Sequence, residues 1–281
     1  MQATFAGFTG FGTAYLRAIE SMRSDRITRL TFQNRADLEK ALITTPKLRN
    51  SFGDFISIRT RYLDEALEHR DAKIRQVVIL GAGLDTRAFR LETLRGCHIL
   101  ELIKNGEAFE SKIKMTEKED MTLIAERADY IVANLTDDDW DSKLLADGFA
   151  PSSPTFWTME GLLPYLKCSN IIALLDALDG LSAPGSEFGA DMPGHTTFSS
   201  GNTATMMKYA EKDPLHGVLS KIPWCLKMQA SLGNEGIHFG REWSPLVSQD
   251  TNENISIAFI MGKKPVCAEV RLKDVCPGLD F

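Results

Sequence analysis

From residue 77 onward the chain alternates short apolar runs with helix-like segments, and this rhythm limits the folds open to it. The runs are VVIL (77–80), HILEL (98–102), DYIVANL (129–135), TFWTM (155–159) and EFGADM (187–192). Between them lie segments of helical texture, such as RAFRLETL after the first run and IIALLDALDGL (171–181) before the fifth. Strands joined by crossover helices make a parallel sheet, so the expected class is α/β. A last strand is expected at ISIAFIMG (255–262). Upstream, Tyr15, Ile19 and Met22, and then Phe55, Ile58, Tyr62, Leu63 and Ala66, recur at helical spacing. Residues 10–70 therefore read as helices. Residues 193–235, rich in Gly, Ser, Thr and Met, break the rhythm and read as an insertion over one end of the sheet rather than another βα unit. The expected organisation is one domain: a helical cap (1–72), an α/β core (73–192), a variable lid (193–235) and C-terminal strands (236–281).

Composition narrows the chemistry. A formal net charge of −6 argues against a general binder of phosphate backbones, which needs a basic face. The five cysteines are scattered, with no C-x-x-C pair, which fits a reducing compartment rather than a disulfide framework or a zinc site. No signal-peptide pattern opens the chain, and no stretch of about 18 apolar residues is present to span a bilayer. The expectation is a cytoplasmic protein that binds neither nucleic acid nor membrane. The five histidines show no H-x-x-x-H pairing, so no metal is expected. GSEFG (185–189) is not a nucleophile elbow, because its serine falls second.

The first run continues into a glycine turn, VVILGAGLDTRAFRL (77–91). In an open parallel sheet the ligand lies beyond the carboxyl ends of the strands, where the strand order reverses. Gly81 and Gly83 let the backbone turn sharply and approach a ligand without a Cβ in the way. A dinucleotide fingerprint wants a third glycine three residues on, and Thr86 stands there. Asp85 reads either as a ligand contact or as a helix N-cap. Eighteen residues past Gly83, Glu101 closes the second run, where a carboxylate can accept hydrogen bonds from both hydroxyls of a ribose. NAD and S-adenosylmethionine both carry that ribose, so these residues leave the two open.

Six blocks, in order, go beyond generic spacing: IRTRYLDEAL (58–67), VVILGAGLDTRAFRL (77–91), HILEL (98–102), ANLTDDDW (133–140), WTMEGLLPYL (157–166) and APGSEF (183–188). Together they resemble the leucine carboxyl methyltransferase-like family of class I S-adenosylmethionine-dependent methyltransferases. Within it, the opening GTAYLRAIES (12–21) resembles the microbial branch that acts on polyketides and other small natural products. The likeness runs from about residue 10 to 192 and fades over 193–254.

The resemblance implies a Rossmann-like fold with a mostly parallel seven-stranded sheet, helices on both faces and a helical lid. It implies S-adenosyl-L-methionine as co-substrate and assigns roles by position. Arg59 matches the arginine that pairs with the cofactor's methionine carboxylate, a task suited to a planar fork. Gly81, Gly83 and Asp85 match the turn along the methionine and ribose, and Glu101 the ribose-binding acid. Asn134 and Leu135 match the pair flanking adenine, and Glu160 the carboxylate near the cofactor's amino group. Tyr165 matches a tyrosine facing the active site, with half-buried packing as the alternative. Two positions depart from the pattern: Asn134 stands where the family usually has Asp, and Ile103 where it usually has a second acidic residue.

Methyl transfer from a sulfonium is a direct displacement, so the protein must chiefly hold acceptor and methyl in line. A carboxylate acceptor needs no base, whereas a phenol, alcohol or indole benefits from one. His195 and His216 are the base candidates, with solvated loop histidines as the plainer reading, and no catalytic residue is assigned. The expected function is methyl transfer to a small-molecule metabolite, foremost O-methylation of a carboxylate or hydroxyl in natural-product biosynthesis. The alternatives are methylation at carbon or nitrogen of an aromatic metabolite, a methyltransferase-like binding protein without catalysis, and a nicotinamide-dependent oxidoreductase, disfavoured by Thr86. Methylation of a protein's C-terminal carboxylate is a further, weaker option.

Overall fold

The computed structural model describes residues 46–104, 106–118, 120–195, 207–245, 247–248 and 251–266, together with Thr13 and Arg17. The helical reading at Tyr15, Ile19 and Met22, the lid residues 196–206, and Cys267 and Cys276 lie outside the described residues.

The long helix α1 (Pro46–Glu68) leads into the sheet and buries Ile56, Leu63 and Leu67 at helical spacing. The sheet strands are β1 (Gln76–Leu80), β2 (His98–Ile103), β3 (Arg127–Val132), β4 (Thr155–Met159), β5 (Glu187–Pro193), β6 (Cys225–Ser231) and β9 (Ile257–Lys263). A separate hairpin joins β7 (Gly236–His238) to β8 (Arg241–Trp243). Among the described residues, four α-helices follow α1: α2 (Arg87–Arg90), α3 (Gly106–Lys118), α4 (Trp140–Ala146) and α5 (Cys168–Leu181).

The seven strands take the order β3-β2-β1-β4-β5-β9-β6. The first five are parallel, and β9 runs antiparallel between β5 and β6. The chain moves outward from β1 through β2 to β3, then returns to β4 on the other side of β1. The order therefore reverses between β1 and β4, which places a ligand crevice at their carboxyl ends. Residues of β1, β4 and β5 are buried on both faces, which is why these strands read as short apolar runs. Inside, the buried Trp157 indole donates to Ser182 Oγ at 2.8 Å, and that hydroxyl donates to the Leu178 carbonyl at 2.7 Å.

Two expectations need correction. The stretch 193–235 contains a sheet strand, β6, paired with β9. As the outermost strand, β6 is buried only at Cys225 and partly buried or exposed elsewhere, so its sequence carries no apolar run. The segment RAFRLETL is not one helix. Helix α2 stops after Arg90, Leu91 is extended (φ −94°, ψ 110°), and a single 3₁₀ turn, Glu92–Leu94, follows. Buried Arg70 holds that turn from below, donating to Thr93 Oγ1 at 2.9 Å and the Thr93 carbonyl at 2.7 Å. Among the described residues, no helix is long and apolar enough to cross a membrane.

Gly262 on β9 faces Phe188 on β5 across the antiparallel pair. A Cβ at Gly262 would overlap the Phe188 ring, which is fully buried and packed on Trp224 at a centroid distance of 5.6 Å. Gly262→Ala is expected to destabilise the fold by about 1–3 kcal/mol through overpacking, read as a lowered urea midpoint with unchanged slope.

Candidate functional site

The strand ends at the reversal point carry a buried charge network. Gly81 (φ +69°) and Gly83 (φ +52°) both lie in the left-handed region, so the turn after β1 needs glycine for its backbone conformation. The turn is tied to the neighbouring strand by the Ala82 amide, which donates to the Leu102 carbonyl at 3.0 Å. Asp85 follows, one residue before the Thr86 N-cap of α2: its Oδ1 accepts the Arg87 amide at 2.8 Å, and its Oδ2 accepts the Arg87 guanidinium. Asp85 is therefore not the N-cap of α2, a place held by Thr86 without a side-chain cap bond; its partner is Arg87.

Arg87 has no exposed side-chain surface. It also donates to Asp64 Oδ1 of α1 at 2.7 Å and to Glu160 Oε2 beyond β4 at 2.5 Å. Arg90 grips the same Asp64 with both terminal nitrogens, at 2.7 and 2.8 Å. Glu160 Oε1 accepts Arg17 Nη2 at 2.5 Å, Arg59 Nε at 3.1 Å and the Thr60 hydroxyl at 3.2 Å. Burial alone would raise the Glu160 pKa. Arg17, Arg87 and Arg59 overcome that and hold it well below the usual carboxylate range.

Arg59 and Glu160, assigned to opposite ends of a methionine group, are therefore paired directly with each other. Arg59 Nη1 also lies 3.9 Å from Asp191 Oδ2 at the end of β5. The guanidinium rests against Gly161 (φ +59°), where a Cβ would come within 2.8 Å of Nη1. The same glycine donates its amide to Asp191 Oδ1 at 2.5 Å. Tyr165, in the 3₁₀ turn Leu163–Tyr165, sits near Arg59 and Asp191, and burial raises its pKa. Its phenol is protonated at neutral pH.

Glu101 stands apart from the arginines. It is fully buried on β2, level with Ile79 of β1. Its Oε2 accepts the Lys112 ammonium, while its Oε1 is buried without a hydrogen-bond partner. A buried acceptor left unmade is costly, so Oε1 fits a site for a donor from a bound molecule, such as a ribose hydroxyl. Burial pushes the Glu101 pKa up to about 7 against the pull of Lys112.

The remaining expected residues are dispersed. Strand β3 ends at Val132, so Asn134 and Leu135 fall in the loop beyond it. Asn134 Nδ2 donates to Asp137 Oδ1 at 2.7 Å, and Leu135 packs on the core edge. Ile103 is buried in the core, which accounts for its apolar character at that position. His195 is exposed just beyond β5, and His216 forms a surface pair with Asp213 at 2.9 Å. Of the lid expected after β5, residues 207–211 lie against these strand ends. The Lys208 amide donates to the Pro164 carbonyl at 2.6 Å, and that of Glu211 to the Pro193 carbonyl at 2.9 Å. No group of three or more metal-binding side chains occurs among the described residues.

The sequence reading missed Arg17, Asp64, Arg87, Lys112, Gly161 and Asp191. One signal was available: Thr60 and Asp64 share the inward stripe of α1 with Ile56, Leu63 and Leu67, and polar residues on such a stripe need buried partners.

With this geometry in place, comparison with known proteins is informative. The model of the leucine carboxyl methyltransferase family matches residues 12–179. The chain belongs to the leucine carboxyl methyltransferase family. S-adenosylmethionine is the co-substrate of that family. A candidate S-adenosyl-L-methionine-dependent methyltransferase of Streptomyces coelicolor is 39% identical over 64% of this chain and 63% of that protein. The chain thus spans just under two thirds of that relative's length. One from Rhodococcus jostii is 34% identical over 74% of this chain and 73% of its own. Among solved structures, a DUF574-family protein of Streptomyces avermitilis matches with a TM-score of 0.56 at 12% identity, over 90% of this chain and 97% of that one. A candidate methyltransferase from Thermobifida fusca matches at 0.52 and 13% identity, over 89% and 94%. These likenesses show the fold, the Rossmann-like α/β arrangement of class I methyltransferases expected for this family.

Glu160→Gln in this family member removes the charge that three guanidiniums share and is expected to cost about 3–5 kcal/mol at neutral pH. Its folded-state pKa lies below the unfolded value of about 4.3, so its contribution is complete above that value and lost as pH falls through the folded pKa. Urea unfolding of parent and variant should differ by a constant amount from about pH 7 to about 5.5, and the gap should close below about pH 4.

Proposed function

We propose that this protein transfers a methyl group from S-adenosylmethionine to a small-molecule metabolite, at a carboxylate or hydroxyl oxygen, in natural-product biosynthesis. The observation that carries the reading is the buried, unpartnered Oε1 of Glu101 beside the Gly81–Gly83 turn, at the reversal point of the sheet. The oxygen acceptor follows the carboxyl chemistry in the family's name, and the small-molecule class follows the microbial character of the relatives and of the N-terminal block.

When bound, the co-substrate supplies an electrophilic methyl on a sulfonium. The protein's own residues then bind and orient. Glu101 takes the ribose, and Asn134 and Leu135 lie beyond β3 where the adenine would lie. Arg59 offers a guanidinium to the methionine carboxylate, and Glu160 a carboxylate to its ammonium. Tyr165, protonated and beside Arg59 and Asp191, is placed to donate to an acceptor oxygen. A carboxylate acceptor is already a nucleophile, so the transfer needs alignment rather than proton abstraction. His195 remains a candidate contact at the rim of β5.

Calorimetric titration with S-adenosylhomocysteine and with NAD tests the cofactor. Only the first should bind. Glu101→Ala should lose at least about tenfold in affinity, and Arg59→Lys should weaken binding because an ammonium cannot reproduce the bidentate fork. Unchanged affinity in Glu101→Ala would overturn the assignment. A methyl-release assay over carboxylic-acid, phenolic and alcohol metabolites then tests the reaction, and tight cofactor binding without turnover on any of them would favour the non-catalytic alternative.

A further inference from the structure

The pair Glu101–Lys112 poses a physical question. Both side chains are fully buried, and they come from different elements, the end of β2 and the middle of α3. Lys112 falls on the inward face of α3, three residues from Phe109 and four from Ala108, where an apolar residue would be the ordinary choice. Its ammonium lies 5.0 Å from the centre of the Tyr130 ring on β3, which gives the cation a second favourable contact.

A buried ion pair is a poor device for stability alone, because desolvating two charges consumes most of their attraction, and a well-packed apolar pair does as well. This pair is also incomplete: Lys112 satisfies Oε2 and leaves Oε1 buried without a partner. The arrangement makes physical sense when the carboxylate is held charged for a donor that arrives from outside.

We propose that Lys112 is a positioning residue for co-substrate binding, its buried ammonium keeping Glu101 ionised and turned so that Oε1 is left for a ribose hydroxyl. The inference rests on the reading of Glu101 as the ribose-binding carboxylate. Four groups act on Glu101 from the packed elements: Lys112 of α3 and Arg87 of α2 favour its charge, Asp85 after β1 opposes it, and Tyr130 of β3 is a neutral phenol at working pH. Of these, only Lys112 touches the carboxylate, and Arg87 is committed to Asp64, Asp85 and Glu160. With burial setting the Glu101 pKa at about 7 while Lys112 is present, removing the ammonium should move ionisation above neutrality.

The test is the affinity for S-adenosylhomocysteine, measured by calorimetry from about pH 6 to about 8.5, for the parent, K112M, K112Q and E101Q. In the parent, affinity should rise through neutrality and level off. In K112M, the midpoint should move up by at least about one pH unit, making binding at pH 7 weaker by about fivefold or more, with the gap narrowing as pH rises. K112Q returns a donor to Oε2 without the charge, so it should show the same displaced profile and serves if K112M does not fold. Folded K112M or K112Q that binds on the parent's pH profile, whatever its melting temperature, overturns the role of Lys112. E101Q that binds like the parent would instead overturn the ribose assignment itself. Weak binding by E101Q with unshifted lysine variants would sink only the present inference.

Discussion

The carboxylate of Glu160 is the point on which this site depends. It collects Arg17, Arg59 and Thr60 on one oxygen and Arg87 on the other. Charges buried this deeply are tolerated only when every partner is matched, because an unpaired one costs several kcal/mol. Arg87 extends the network to Asp85 in the glycine turn and to Asp64 on α1. One set of ion pairs thus fixes α1, the turn after β1 and the end of β4 relative to each other. The glycine turn is held in place by this network together with the Ala82–Leu102 bond and the packing of Ala82 and Leu84. Gly161 belongs to the same device, since a side chain there would push the Arg59 guanidinium away from Glu160.

How much of this was legible in the sequence follows from where each element sits. The strands β1, β2, β4, β5 and β9 were legible because they lie inside the sheet, and burial on both faces demands continuous apolar runs. Edge strand β3 was legible through the apolar residues of DYIVANL, whereas β6, at the other edge, was not, because CLKMQAS carries no such run. The segment after β1 was misread as one helix because the extended break at Leu91 is imposed by Arg70, whose contacts with Thr93 are tertiary. For the site, family motifs pointed to Gly81, Gly83, Asp85, Glu101 and Glu160, which lie on or beside β1, β2 and β4, and to Arg59, which lies on α1. What they did not convey is that Arg59, Asp85 and Glu160 are joined through Arg87 and Arg17. A charged residue announces its type in a sequence but not its burial, and the partners here lie as far as 143 positions apart.

The two charged regions of the crevice follow different rules, and the difference matches what each would meet. Around Glu160, among the described residues, four arginines (Arg17, Arg59, Arg87, Arg90) face four carboxylates (Asp64, Asp85, Glu160, Asp191). The methionine end of the co-substrate is a zwitterion, with one carboxylate and one ammonium. It can enter this cluster by exchanging pairs, its carboxylate taking up Arg59 as its ammonium takes up Glu160, without leaving a buried charge alone. A ribose brings no charge, only hydroxyl donors, and nothing in it could neutralise a bare carboxylate. The acid that meets it therefore needs a counter-ion supplied by the protein, placed so that one oxygen stays open. On the proposed reading of Glu101 as the ribose-binding acid, Lys112 meets that requirement.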